Sequence, residues 1–390
     1  MSNSSQKQSW WNNARYRSLF FQVLLVGMLV GFFWFIGSNT LANLDKRGIS
    51  TGFGFLSLKA GFGILQSLIP FSEADSFGRT FLVGLLNTLL VSVLGIFFAT
   101  IIGFTIGVAR LSNNWLISKL AGVYVEMFRN IPLLLQIFFW YFAVLRALPS
   151  PKQSWKAADL AFLNIRGMYL PRPVFGDSFS FVAWTFVLAI VATLFIRRWA
   201  RKRQDDTGQQ FNLWGTGIGL IVALPLLVYF VVGSPLSWDI PKLQGFNFRG
   251  GVTVIPELTA LLVALSVYTA TFIAEAVRSG ILAVNSGQTE AASALGLHKN
   301  KVLKLVVIPQ AMRVIIPQLT SQYLNLVKNS SLATAIGYPD LVAVFAGTTL
   351  NQTGQAIEII AMTMGVYLFI SLTISGVMNW YNKKIMLVER

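Results

Sequence analysis

The sequence predicts an all-α polytopic membrane protein with about eight transmembrane helices. Of its 390 residues, 54% are hydrophobic and only 12% are charged, and the mean hydropathy is +0.62. Soluble domains usually carry about 25% charged residues. Several apolar runs are also long enough for a helix to cross a bilayer, which takes about 20 residues. The packing of helices against one another and against lipid therefore replaces a water-excluding core.

Charge and composition exclude several classes of function. The net charge of +16 could indicate nucleic-acid binding, but in a membrane protein excess Lys and Arg marks cytoplasmic loops facing anionic lipid. We therefore expect membrane lipid, and no nucleic acid, as a partner. Cysteine is absent and His298 is the single histidine, so disulfides, thiolate catalysis and a metal centre are not expected. We expect this chain to bind no cofactor.

The apolar runs predict the spans in order. The first lacks an obvious small-residue cleavage site and is expected to persist as a helix. Pro132 should bend the third span where it enters the membrane. The Gly-rich piece 52–70, which contains Lys59, is too short for a clean span and is predicted to be interfacial or re-entrant. The predicted spans are residues 19–38, 80–108, 124–149, 179–196, 213–232, 255–283, 306–335 and 356–380.

Loop charge predicts the orientation. The densest basic cluster ends the fourth span, and the positive-inside rule favours a cytoplasmic anchor there over a nucleic-acid patch. Loop 339–355 carries no Lys or Arg and falls outside. Eight spans place both termini on the cytoplasmic side. The cluster comprises Arg197, Arg198, Arg201, Lys202 and Arg203.

Residues 288–309 have the composition of a short cytosolic docking helix. Thr289 can cap its N-terminus, and Glu290 favours the positive end of the helix dipole. The small side chains of 291–294 leave the surface smooth, and Gly296 suits a left-handed end. The same features fit a plain Ala-rich connector, since Ala has the highest helix propensity. Both interpretations stand on this stretch alone.

Polar residues in the seventh span are candidates for binding a substrate. Lys328 lies roughly 20 Å along the helix from Ile315, at or beyond the middle of the membrane. A charge there costs at least about 2.5 kcal/mol and should face a cavity, a partner or a ligand. Amides and hydroxyls surround it in sequence, which suits a carboxylate ligand. These neighbours are Asn325, Asn329, Ser330 and Ser331.

Each candidate has a structural alternative. Lys328 could instead pair with Glu257, Glu275 or Glu358 and hold helices together. Asn87, Thr88 and Gln136 are weaker substrate-binding candidates, because interhelical hydrogen bonding is the commoner use of polar residues in membranes.

No phosphate-binding G-x-x-x-x-G-K-[ST] pattern occurs in the chain. If ATP powers this protein, a separate chain must bind it.

Five blocks of sequence resemble the transmembrane permease subunit of ATP-binding-cassette importers, of the polar amino-acid type. Glu290-Ala291-Ala292, followed by Gly296, is similar to the family's EAA loop. The blocks are LLNTLLVS (85–92), FRNIPLLLQ (128–136), AEAVRSGILAVNSGQTEAA (274–292), PQAMRVIIPQL (309–319) and NLVKNSSLATAIGYPDL (325–341).

The resemblance implies a type I importer core of five helices, the second, third, sixth, seventh and eighth spans, with three additional spans. It also implies five segments. These are 1–79 (tail, first helix and periplasmic loop), 80–149 (first part of the core), 150–254 (insertion with two extra helices), 255–380 (second part of the core, with a coupling loop at 284–305) and 381–390 (cytoplasmic tail).

The resemblance further implies a role and partners. The chain would be a non-enzymatic permease in the bacterial inner membrane, resembling the longer permease of general L-amino-acid importers. A cytosolic ATPase dimer holding ATP-Mg, a second and different permease, and a periplasmic amino-acid-binding protein would complete the transporter. Lys328 would line the substrate cavity. The docking residues would be Gly287, Glu290, Ala291, Ala292 and Gly296.

Two other functions compete with this one. An ion-coupled secondary transporter would use Glu257, Glu275 and Glu358 as carriers, but it has no use for a cytosolic docking helix. A scaffold or regulator would need no substrate site at Lys328.

Overall fold

The structure, a computed structural model, describes residues 14–46, 48 and 51–385 and is built largely of long helices. Seven helices in this part of the chain are long and apolar enough to cross a membrane, and a bent pair makes an eighth. The predicted all-α class is confirmed. The chain forms two compact units, Met1–Ser92 with Tyr323–Arg390, and Val93–Gln322. The five segments predicted above stay a prediction.

Apart from the third, the helices match the predicted spans; most are longer, whereas Leu213–Val231 and Pro256–Leu282 are slightly shorter. Turns of π- or 3-10 helix interrupt several of them, for example at Leu303–Val307 and Ser330–Ile336. The α-helices are α1 (Ala14–Lys46), α2 (Phe77–Ala109), α3 (Trp115–Asn130), α4 (Leu133–Phe138), α5 (Phe179–Thr207), α6 (Leu213–Ile218), α7 (Leu224–Val231), α8 (Pro256–Leu282), α9 (Ser286–Ala294), α10 (Lys299–Val302), α11 (Ile308–Asn329), α12 (Leu350–Thr353) and α13 (Ala356–Ile385).

The first unit packs around a cluster of aromatic and aliphatic residues. The piece predicted to be interfacial or re-entrant forms a 3-10 turn at Phe53–Ser57 and is otherwise irregular. Its Phe55 packs with Phe77 and Phe345 in this cluster. Loop 339–355 is not simply a loop, because Val342–Thr349 is π-helical and α12 follows it.

In the second unit, α2 approaches α8 closely at two glycines. A Cβ on Gly107 would lie 2.8 Å from the Ala274 carbonyl oxygen and 2.8 Å from Val277 Cβ. A Cβ on Gly103 would lie 2.5 Å from Ile273 Cβ. Small residues let helix backbones approach closely, which is how helices associate in lipid.

The third predicted span is wrong in detail. Helix α3 begins earlier than predicted, at Trp115, because the Asn114 side chain accepts hydrogen bonds from the next turn and caps it. The chain then bends by 103° before Leu133–Ala147. The bend lies at Pro132, as predicted. Gln136 stabilises the bend, since its Nε2 donates to the carbonyls of Phe128 and Ile131 at 2.8 and 2.9 Å.

The insertion also contains short antiparallel strands that hydropathy did not predict. They form a sheet ordered β1-β2-β3-β8 and the pairs β4-β5 and β6-β7. Phe162, Tyr169 and Phe248 form their core, with ring centroids 4.5 and 4.8 Å apart. The strands are β1 (Trp155–Ala157), β2 (Ala161–Asn164), β3 (Gly167–Leu170), β4 (Arg172–Phe175), β5 (Leu236–Asp239), β6 (Lys242–Gln244), β7 (Asn247–Arg249) and β8 (Val252–Val254).

The close approach of α2 and α8 predicts that two Gly→Ala substitutions differ in their effect on the stability of the protein. Gly107→Ala should destabilise the protein by about 1–3 kcal/mol through overpacking. Gly122→Ala is the matched control, because in the described chain no atom outside its own stretch of helix lies within 4 Å of its added Cβ, and Ala favours helix. Thermal unfolding in detergent measures both. Equal melting temperatures for the two variants would contradict the packing.

Candidate functional site

Helix α9 begins at a side-chain cap. The Asn285 Oδ1 accepts a hydrogen bond from the Gly287 amide at 2.8 Å. The prediction that Thr289 caps this helix is wrong. Thr289 lies inside the helix, and its hydroxyl donates to the Ser286 carbonyl at 2.7 Å.

Helix α9 ends in a Schellman motif, as Gly296 predicts. The Gly296 amide donates to Ser293 O at 2.9 Å and the Leu297 amide donates to Ala292 O at 3.3 Å. Gly296 has a φ of 73°. A residue with a Cβ adopts this left-handed conformation only at an energetic cost. Leu297 then packs beside Ala292 in a small apolar cluster that includes Val302. This cluster fixes α9 to the segment that follows it.

The two faces of α9 therefore differ. Ala292 faces the attachment cluster and is only 6% exposed. Gly287, Glu290, Ala291 and Gly296 are exposed. Among the residues that the structure describes, Glu290 forms no ion pair or hydrogen bond through its carboxylate. The result is a short, smooth, outward face with one unpaired acid, rigidly attached to the rest of the unit.

The second group of candidate residues lies in the first unit, where α11 ends. Lys328 and Asn325 are exposed, three residues apart on the helix, so they share a face. Asn329 and Ser331 are half-buried, and the Ser331 hydroxyl donates to Lys328 O at 2.7 Å. Ser330 is buried and its hydroxyl donates to a backbone carbonyl. Lys328 thus presents an ammonium on an amide-bearing face.

Each carboxylate proposed as an alternative partner for Lys328 has another partner. Since each acid is already neutralised or hydrogen-bonded, none of them requires the Lys328 ammonium. Tyr141 Oη donates a hydrogen bond to Glu257 at 2.8 Å. Glu275 forms ion pairs with Arg110 and with Arg278, and the Arg278 pair has a length of 3.1 Å. The Gly52 amide donates a hydrogen bond to Glu358 at 2.6 Å.

Asn87 and Thr88 lie in the first unit and bind the segment that follows α11. Asn87 Nδ2 donates to Pro339 O at 2.9 Å, and the Leu341 amide donates to Thr88 Oγ1 at 3.0 Å. Both side chains are completely buried. Gln136 is buried at the bend described above. A role in substrate binding stays a prediction for these three residues, whose donors are engaged by the backbone.

Sequence reasoning missed two charged residues. Burial raises the pKa of the Asp340 carboxyl to about 7, although its Oδ1 accepts the Ala343 amide at 2.8 Å. Arg313, on α11, has buried Nε and Nη2 atoms with no acceptor among the described residues. The sequence feature that could have identified Arg313 is its position as a charged residue in an apolar stretch, between Pro309 and Pro317.

Residues 93–386 match the family described as the inner membrane component of binding-protein-dependent transport systems. The chain belongs to this family. It is therefore a multi-pass subunit of the inner membrane and a permease. The match includes α9, Gln136 and the Lys328 segment, and it begins after Asn87 and Thr88.

Named relatives align with the permease over nearly its whole length. The putative amino-acid ABC transporter permease protein YhdX of Escherichia coli K12 is 58% identical and covers 97% of this chain and 96% of its own. The general L-amino acid transport system permease protein AapQ of Rhizobium johnstonii is 57% identical, with 96% and 94% covered. The glutamate/glutamine/aspartate/asparagine transport system permease protein BztB of Rhodobacter capsulatus is 43% identical, with 97% and 96% covered.

The buried Asp340 predicts a pH dependence of the permease's stability. Its pKa is raised on folding, so its contribution is fully present below about pH 4 and is lost as pH rises through about 7. We expect stability to fall by roughly 2–4 kcal/mol across that window. Asp340→Asn keeps an acceptor for Ala343 and should flatten this part of the pH profile. Melting temperatures of both proteins test it, and identical slopes would contradict the burial effect.

Proposed function

We propose that this permease forms the translocation pathway of an ATP-driven importer of L-amino acids. The observation that carries the proposal is α9, an exposed helix of small residues, capped at both ends and packed to its own unit, with one unpaired acid. We infer that α9 is the element through which a second protein moves the membrane helices, because it is exposed and yet fixed to its own unit. The amino-acid transporters named among the relatives support the class of cargo.

The proposed partners follow from two features of the chain: it has no G-x-x-x-x-G-K-[ST] pattern for binding ATP, and α9 is an exposed helix of small residues. ATP-Mg binds a cytosolic ATPase dimer, whose clefts receive α9 through Gly287, Glu290 and Ala291, while Ala292 and Gly296 fix the helix. ATP hydrolysis takes place on that dimer and not on this chain. A periplasmic binding protein delivers the amino acid, and a second, different permease completes the pathway.

The order of the spans supports the orientation. Two spans, Leu213–Val231 and Pro256–Leu282, separate the basic end of α5 from α9. Because two crossings return the chain to the side it left, the basic end of α5 and α9 lie on the same side of the membrane. The basic cluster places that side in the cytoplasm by the positive-inside rule. The strands of the insertion then lie on the periplasmic side, and both termini are cytoplasmic.

Transport follows from alternating access. ATP closes the ATPase dimer, each docked helix moves with its cleft, and the membrane helices rock so that the cavity faces outward. Lys328 binds the carboxylate that amino acids share, with Asn325, Asn329, Ser330 and Ser331 as neighbouring polar groups. The engaged state of Glu257, Glu275 and Glu358 favours this scheme over ion-coupled transport, which needs carboxylates that can take up and release the coupling ion.

Coupling is tested by changes on α9. Glu290→Lys should abolish ATP-dependent uptake into proteoliposomes, because it reverses the one charge on the docking face, while the subunits remain in the membrane. Asp206→Lys is a matched charge reversal at the exposed end of α5 and should transport normally.

The backbone at Gly296 gives a second test. Gly296→Asn tolerates positive φ and should retain coupling, whereas Gly296→Val should lose most of it. Normal uptake by both Glu290→Lys and Gly296→Val would refute a coupling role for α9.

The cargo role of Lys328 predicts a separable defect. Lys328→Gln should lower amino-acid uptake at least tenfold, a loss of about 1.4 kcal/mol or more, while basal ATPase activity of the complex persists. Lys383→Gln, at the exposed end of α13, is the control. Unchanged concentration dependence of uptake in Lys328→Gln would exclude the lysine from the substrate site.

A further inference from the structure

Two grooves meet at the basic end of α5, and neither is lined by residues of α9 or by Lys328. One lies between α5 and α6 and has a volume of ≈ 510 Å³. Its walls include Thr193 and Arg197 from α5 and Trp214, Ile218 and Val222 from the facing span. The helices come close here because Gly217 has no side chain, and a Cβ on it would lie 3.3 Å from Thr193 Cγ2.

The second groove runs along the adjoining face of α5 and has a volume of ≈ 320 Å³. Leu194 and Phe195 form its apolar part, and Arg198 and Arg201 form its basic end. Arg197 lines both grooves. One anionic group bound at Arg197 would therefore lie at the mouth of two apolar grooves.

The arginines are available to an anion. Within the described chain, no carboxylate lies within 4.0 Å of the guanidinium groups of Arg197, Arg198 or Arg201. Asp205 and Asp206 lie on the next turns without pairing to them. Arg203 differs, since its Nη2 donates to Gln209 at 2.8 Å and its guanidinium stacks over Trp199. Three guanidinium groups thus remain exposed over about one turn of helix.

Position along the helix places these groups at the surface of the bilayer. The apolar part of α5 ends at Ile196, and the arginines follow directly. Two tryptophans mark the same level, Trp199 at 52% exposure and Trp214 at 83%. Trp is enriched where the hydrocarbon meets the headgroups. The grooves extend from this level toward the apolar side.

We propose that these grooves bind one anionic glycerophospholipid of the leaflet on the α9 side. Its phosphodiester lies between the guanidinium groups of Arg197, Arg198 and Arg201, which donate paired hydrogen bonds to phosphate oxygens. One acyl chain follows Ile218 and Val222, and the other follows Leu194 and Phe195. Only the assignment to the cytoplasmic leaflet rests on the proposed function.

The apolar walls favour a lipid over other phosphate-bearing ligands. Free phosphate or nucleic acid would use the arginines but would leave both grooves empty. A neutral lipid would fill the grooves without the additional attraction, about 1 kcal/mol for each basic residue near the surface, that an anionic headgroup gains. Both parts of the site are therefore needed for tight binding.

Native mass spectrometry of the purified transporter, titrated with phosphatidylglycerol or phosphatidylcholine, tests the proposal. The triple variant Arg197→Gln/Arg198→Gln/Arg201→Gln should weaken binding of the anionic lipid at least about tenfold and leave the neutral lipid nearly unchanged. The triple Arg→Lys variant keeps the charge and the membrane orientation, and should retain part of the affinity.

Two further variants separate groove from charge. Val222→Trp should block the larger groove and weaken phosphatidylglycerol binding although every arginine is present. Lys299→Gln/Lys301→Gln/Lys304→Gln removes three charges on the same side and should have no comparable effect.

Three results would overturn the site. They are unchanged phosphatidylglycerol binding in the Arg→Gln triple variant, an equal loss in the Lys→Gln triple variant, and competition by glycerol 3-phosphate as strong as that by the lipid. None of these measurements depends on transport, so a failed lipid site and a failed transport function remain distinguishable.

Discussion

The structure depends on satisfying polar groups where water is absent. In a bilayer, backbone and side-chain donors must find acceptors within the protein or pay several kcal/mol each. Asn87 and Thr88 meet this requirement for the segment that follows α11. Gln136 meets it for the carbonyls released at the Pro132 bend. These side chains are why irregular backbone can lie among spanning helices.

Several charged side chains, by contrast, have no ionic partner among the described residues. Glu290 is exposed on a helix of small side chains, and Lys328 is exposed at the end of α11. In the same unit as Lys328, Glu358 accepts a hydrogen bond from a backbone amide. The α5 arginines likewise have no acidic partner among the described residues. Because each of these charges is exposed, each is accessible to a partner outside the chain. The partners proposed for them differ in kind: a protein, a small carboxylate and a lipid.

Helix contact is governed by shape rather than by polarity. Lipid tails are as apolar as Leu side chains, so helices associate where small residues permit close approach. Gly103 and Gly107 provide this between α2 and α8, and the ion pair of Arg110 with Glu275 joins the same two regions of the second unit. By contrast, the apolar stretch of the first span, within Ala14–Thr40, has no buried residue in the described chain, which leaves it to lipid or to another subunit.

Sequence alone determined the class, all spans but the exact course of the third, and the α9 helix with its Gly296 end, because hydropathy and glycine preference act locally. It also identified Lys328 as a polar residue that needs a partner. Other features depended on residues far apart in the chain. In the insertion, β3 pairs with β8 and β4 pairs with β5, although two spans separate the partners in the chain. Whether Asn87 faces a cavity or a carbonyl depends on where Pro339 lies. The local sequence pattern carries no information on how far Pro339 lies from Asn87 in space, so only the tertiary structure decided the role of Asn87.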